Sequence, residues 1–147
     1  MKLRWLILFL FIFSCGYKPI LVENKNNFKF NDVKLLGDKQ ISELILDNLE
    51  TLRDTNSTNK IEINSFLKSS ISSKNKKGDP EIFTLNINSD VTLIKKGKTL
   101  KANFSDSITY KNRESKFKLK KYEDKLKSDL ISKVSEDITL FLLSTDL

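Results

Sequence analysis

The chain of 147 residues contains no histidine and a single cysteine. Without histidine, the usual general base near neutral pH and the commonest metal ligand are missing. One cysteine cannot close an internal disulfide, and once it is committed elsewhere no thiol remains for a nucleophile or a zinc site. Glycine occurs four times and proline twice, and the glycines do not gather into a loop that would cradle a phosphate. Arginine stands only at Arg4, Arg53 and Arg113, so the positive charge is almost entirely lysine. No apolar run reaches the roughly 20 residues needed to cross about 30 Å of hydrocarbon. The neighbouring carboxylates Glu123-Asp124 and Glu136-Asp137 fall on the polar side of a helical pattern, where solvation rather than catalysis is the default. These absences argue against an enzyme.

What is present begins at the first residue. Met1-Lys2-Leu3-Arg4 is a short basic stretch, Trp5 to Phe13 is unbroken apolar, Ser14 is small, and Cys15 follows. A stretch of that length matches the hydrophobic region of a signal peptide and not a membrane span. Ile12, Ser14 and Cys15 fit the pattern cut by the lipoprotein-processing peptidase: aliphatic at −3, small at −1, cysteine at +1. The expectation is removal of residues 1–14 and N-acyl diacylglycerol on Cys15, the only group the protein would carry. Acyl chains there, at about 0.8 kcal/mol per buried CH₂, would hold it on a membrane permanently. Gly16 at +2, where Asp would retain the protein, implies the outer membrane in Gram-negative sorting, with the domain on the periplasmic side.

Removing 14 residues from 147 leaves 133, enough for one modest core. Losing Lys2 and Arg4 lowers the formal charge from +7 to +5. Such a balance suits nucleic acid, anionic headgroups, or merely the lysine- and asparagine-rich drift of AT-rich coding sequence. An export signal argues against nucleic acid. Residues 15–27 read as a lipidated N-terminus and polar tether, and residues 28–147 as one domain.

Within that domain, Phe28 and Phe30 share one phase and Val33 and Leu35 the other, which predicts a strand with a bulge near Asn31-Asp32. Asp38 is a helix N-cap candidate, and Ile41, Leu44, Ile45, Leu49 and Leu52 recur at helical spacing behind it. Asp54 to Asn59 is a polar stop. Ile61, Ile63, Ser65, Leu67 and Ile71 occupy one strand parity. Phe83, Leu85, Ile87, Val91 and Leu93 do so again, and Leu100, Ala102, Phe104, Ile108 and Tyr110 after the tight-turn candidate Lys95–Lys98. Leu119, Tyr122, Leu126, Leu130, Val134, Ile138 and Phe141 predict a long closing helix, with no Gly or Pro after Gly97 to break it. Core packing is the default for the aromatics Phe28, Phe30, Phe83, Phe104, Tyr110 and Phe117. Phe66 is out of phase with its strand and is expected to face outward. The order β-α-β-β-β-α calls for an α+β, two-layer sandwich, with two helices packed on one face of a four-stranded mixed sheet.

The start Cys15-Gly16-Tyr17-Lys18-Pro19, this element order, and a strand ending in Tyr110 that leads to a long terminal helix together resemble the LptE family of lipopolysaccharide-assembly lipoproteins. The resemblance covers essentially the whole chain. It implies a protein without chemistry of its own, which plugs and assists assembly of the LptD β-barrel and takes part in delivering lipopolysaccharide to the outer leaflet. An alternative reading of the same residues is a periplasm-facing lipoprotein that binds a soluble ligand or inhibits an enzyme.

Lipopolysaccharide carries phosphates, and two lysine clusters are candidates to meet them. Lys74, Lys76 and Lys77 lie in one inter-strand turn; Lys95, Lys96, Lys98 and Lys101 surround the next, whose tightness puts Lys95, Lys96 and Lys98 first. Successive turns fall at opposite ends of a sheet, so the clusters should not form one patch. Both are also what solvated, aggregation-resisting turns look like.

Overall fold

The structure, a computed structural model, describes residues 28–145. The signal segment, Cys15 and the tether lie outside the described residues. The elements are β1 (Asp32–Gly37), α1 (Lys39–Asn48), a 3-10 turn (Glu50–Leu52), β2 (Lys60–Lys74), β3 (Pro80–Lys95), β4 (Lys98–Lys111) and α2 (Lys116–Ser144). The order is the β-α-β-β-β-α expected, and the class is α+β. Among the described residues no helix is long and apolar enough to cross a membrane.

The sheet runs β1-β2-β3-β4. β1 pairs parallel to β2, and the other pairs are antiparallel. A parallel neighbour needs a crossover, and α1 supplies it. Registers such as Val33↔Ile61↔Leu93↔Leu100 and Leu35↔Ile63↔Val91↔Ala102 put the apolar parity of all four strands on one face. Both helices pack there, and among the described residues nothing covers the opposite face. Phe30, Ile45, Leu49, Ile63, Leu93, Val134, Ile138 and Leu142 are wholly enclosed between the layers, each contributing roughly 1.5–3 kcal/mol by burial.

Local chemistry explains the boundaries. The phase change after Phe30 comes from a change of partner, not from a bulge. Phe30 bridges Arg53, donating to Leu52 O at 3.0 Å and accepting from Asp54 N at 2.9 Å. From Asp32 onward the chain pairs with Lys60 and its successors. At the other end of β1, Gly37 takes φ +70°, and the Asp38 N–H still bonds Ser65 O at 2.8 Å. The Asp38 carboxylate then accepts from Ile41 N at 3.4 Å, capping α1. Ile41, Ile45, Leu49 and Leu52 are buried as expected, but Leu44 lies exposed at the edge of that stripe.

Polar atoms in the core are paired. Ser65 and Ser89, both fully buried, share a 2.8 Å hydroxyl hydrogen bond across β2 and β3. Ser135 on α2 donates to Ile131 O at 2.8 Å and accepts from Asn48 of α1 at 3.1 Å. Among the described residues, no buried side-chain nitrogen or oxygen lacks a partner. Ser115 caps α2 by accepting from Lys118 N, and the Phe141 ring meets Phe104 edge-on at 5.7 Å. The Lys133 ammonium reaches the Asp106 carboxylate at 2.7 Å, tying α2 to β4.

Candidate functional site

The antiparallel run β2-β3-β4 sends the two lysine turns to opposite ends of the sheet, as expected. At one end, Lys96 and Gly97 have φ of 49° and 77°, a two-residue turn whose twist suits the flanking strands. Its lysines do not converge. Lys95 is half-buried; its ammonium donates to Thr145 O at 3.2 Å, just past α2, and sits 5.9 Å from the Phe28 ring. A cation at the carbonyl end of a helix is well placed, so Lys95 is occupied with holding that end together. Lys98 pairs with Lys95 in register, on the helix side. Lys101 pairs with Thr92, whose parity is that of the open face. Lys96 alone stands at the tip.

At the other end, the loop between β2 and β3 is organised by Asn75. Its Oδ1 accepts from Lys77 N at 2.9 Å and Asp79 N at 3.0 Å, and its own N–H bonds Asp79 O. Asn112 then ties the link after β4 to the start of β3, with N donating to Glu81 O and Nδ2 to Pro80 O, each at 2.8 Å. The start of α2 is thereby held at the same end as the loop. Lys74, Lys76 and Lys77 are joined there by Lys111, Arg113, Lys116 and Lys118, all exposed. Among them Phe117 is 78% exposed, the most exposed large apolar side chain of the described residues. It had been expected in the core; it sits one residue into α2, ahead of the stripe that faces the sheet.

An aromatic stack supports this end from beneath. The Arg113 guanidinium lies 4.1 Å from the Tyr122 ring centre. Tyr122 meets Tyr110 edge-on at 6.2 Å, and Tyr110 stacks on Phe83 at 5.5 Å. Burial pushes the Tyr110 phenol above its ordinary value of 10.0, and the neighbouring Glu123 carboxylate adds to the rise. Glu123 itself is only 20% exposed and sits 3.5 Å from Lys127, whereas Asp124 is exposed and paired with Lys120 at 2.8 Å. The adjacent acids thus face different surroundings: the solvated-face expectation holds for Asp124, as it does for Glu136 and Asp137, but not for Glu123.

The uncovered face of the sheet is polar. Asn103 Nδ2 donates to Asn88 Oδ1 at 3.1 Å and to Asp90 Oδ1 at 2.7 Å; Lys34 pairs with Glu62 and Ser72 with Thr84. Phe66 is on this side and 53% exposed, as its phase predicted. On the helix side, the seam between α1 and α2 opens into a groove of about 600 Å³, with Ile41, Leu44 and Ile131 among apolar residues and Lys120, Asp124 and Lys127 along its rim.

Sequence reasoning identified the lysines of both turns but missed Lys111, Arg113, Lys116, Lys118 and Phe117. The signal was available: Phe117 does not belong to the stripe that begins at Leu119, and lysine crowds the residues on either side of it.

No protein-family model matches the chain, and no curated protein does. Solved structures do. Rare lipoprotein B from Shewanella oneidensis superposes with a TM-score of 0.62 at 13% identity, over 78% of this chain and 95% of that one. Lipoprotein B from Nitrosomonas europaea gives 0.57 at 14%, over 76% and 81%. A protein described as a lipoprotein from Caulobacter crescentus gives 0.50 at 16%, over 76% and 88%. At such identities the likeness is one of fold.

Proposed function

We propose that this chain is a non-enzymatic lipoprotein of LptE type, anchored through Cys15 to the outer membrane and facing the periplasm. It would plug an LptD-like β-barrel, assist its assembly, and take part in passing lipopolysaccharide outward. The observation that carries this reading is the end of the sheet built by the Asn75 loop and the start of α2. Seven exposed cationic side chains lie at that end together with the exposed Phe117. Phosphates of an amphiphile suit the lysines and Arg113, and its hydrocarbon suits the ring. Two further features support the reading. The fold is shared with rare lipoprotein B over 95% of that chain. The open sheet face, rich in Asn, Ser and Thr, matches the polar lumen of a large barrel.

The test is an affinity pull-down of the full-length protein from outer membranes, with bound chains identified. A barrel of several hundred residues should co-purify through detergent extraction; a solitary lipoprotein would sink the proposal. Mass spectrometry of the same material should find a chain starting at an acylated Cys15. An intact Met1 with an unmodified thiol would remove the membrane assignment.

A further inference from the structure

β4 is one of the two edge strands of the sheet, and among the described residues no strand pairs with its outer side. Which of its backbone groups are free follows from the turn before it. Lys95 and Lys98 flank a two-residue connection and therefore exchange hydrogen bonds with each other. Alternation along an antiparallel pair then turns Leu100, Ala102, Phe104 and their even-numbered successors toward β3. It leaves the N–H and C=O of Thr99, Lys101, Asn103 and Ser105 directed outward. The far end agrees, because the next even residue past β4, Asn112, donates to Glu81 O of β3. At Ser107 the outward series stops, its N–H being taken by Asp106 Oδ1 at 2.8 Å.

We infer that the stretch Thr99–Ser105 of β4 is a docking edge that takes an extended acidic peptide segment of another protein as a fifth strand. Main-chain pairing of this kind supplies affinity, and the side chains beside it supply selectivity. The unpaired charge beside it is positive, because the nearest carboxylate of β3, Asp90, is taken by Asn103 Nδ2 at 2.7 Å. Lys98 precedes the free groups and Lys101 is among them, and the one carboxylate of β4, Asp106, is engaged by Lys133 at 2.7 Å. A second copy would bring a second set of edge lysines against the first, which like-charge repulsion opposes. A strand carrying Glu or Asp has the complementary charge. The inference goes beyond the barrel-plug reading and does not depend on it.

The test uses the full-length lipidated protein in detergent micelles and two labelled peptides, Thr-Glu-Val-Glu-Val-Glu-Thr and its Lys counterpart. Fluorescence anisotropy should show the Glu peptide binding at least about tenfold more tightly, a difference read directly as a ratio of Kd values. Ser105→Pro removes one outward N–H at a position where an edge strand tolerates proline, and should weaken the Glu peptide about tenfold with the melting temperature unchanged. Amide exchange in the wild-type protein should slow at Thr99, Lys101, Asn103 and Ser105 when the Glu peptide is added. Equal binding of the two peptides, or protection falling elsewhere, overturns the proposal. So does concentration-dependent dimerisation that protects the same amides without peptide, since that gives the edge to a second copy. Should Ser105→Pro fail to fold, the exchange pattern of the wild type decides.

Discussion

Replacing Gly37 by Ala should cost far more than the same change at Gly97, although both glycines have positive φ (70° and 77°). The left-handed backbone alone charges an L-residue about 1–2 kcal/mol at either position. Around Gly97 a Cβ would meet nothing within 4 Å. At Gly37 it would lie 2.5 Å from Ser65 O, 2.7 Å from Asn64 Oδ1 and 3.0 Å from Phe66 Cζ. The Phe66 ring and the Asn64 amide can swing aside. Ser65 O cannot retreat freely, because it is in the sheet and accepts the Asp38 N–H that starts α1. Crowding of this kind costs about 1–3 kcal/mol. Gly37→Ala should therefore lose about 2–5 kcal/mol against about 1–2 for Gly97→Ala, measured by urea unfolding with a common m-value of about 1–3 kcal/mol/M. Set against a typical stability of about 5–15 kcal/mol, the difference is easily resolved. If both variants unfold at the same midpoint, the close approach of β1 to β2 at Gly37 is not what fixes the residue there.

Three other expectations follow from the same contacts. Ser65→Ala or Ser89→Ala alone should cost about 1–3 kcal/mol by leaving a buried hydroxyl unpaired, while the double variant should be close to neutral; additive losses in a urea double-mutant cycle would refute the pairing. The Lys133 hydrogen bond holds the Asp106 carboxyl below its ordinary 3.8, and the reciprocal bond raises Lys133 above 10.5. Stability from Asp106 should thus be present above about pH 3.8 and fall as pH drops through its lowered value; that from Lys133 should be present below about pH 10.5 and fall as pH rises through its raised value. Asp106→Asn should flatten both limbs, with a small effect because the pair is largely solvated, and unchanged limbs would show that other groups govern them. Replacing Lys76, Lys77, Lys116 and Lys118 by Ser should weaken lipopolysaccharide binding at least about tenfold, since a charge-assisted contact contributes about 1.5–3 kcal/mol. A larger loss on replacing Lys95, Lys96 and Lys98 would return the contact to the β3–β4 turn.

The architecture was legible because period and parity carry it. Residues such as Val91 and Leu93 announce a one-sided strand, and Leu126 through Ile138 announce a helix whose stripe must be covered. What parity cannot report is how far the cover extends. Ile71 has the core parity yet is 49% exposed, because β2 runs past the six residues that pair with β1. Leu44 has the spacing of α1's stripe but falls where the groove between the helices begins. The phase change after Phe30 was visible, but its cause was not: a bulge and a change of partner leave the same trace in one strand's sequence. The cationic end was half legible, since the lysines of the Asn75 loop and those of α2 are about forty residues apart in the chain and share an end through the β2–β3–β4 pairing and the Asn112 bonds.

The Lys95 side chain joins the two extremities of the described chain, touching the Phe28 ring on one side and the Thr145 carbonyl on the other. Entry and exit therefore share one pole, and everything else projects from it. β3, with 16 residues at about 3.3 Å of rise each, is roughly 50 Å long. That exceeds the roughly 30 Å thickness of a bilayer's hydrocarbon. Whatever is joined to the chain ahead of Phe28 is thus held apart from Phe117 and the lysines of its end by nearly the length of β3.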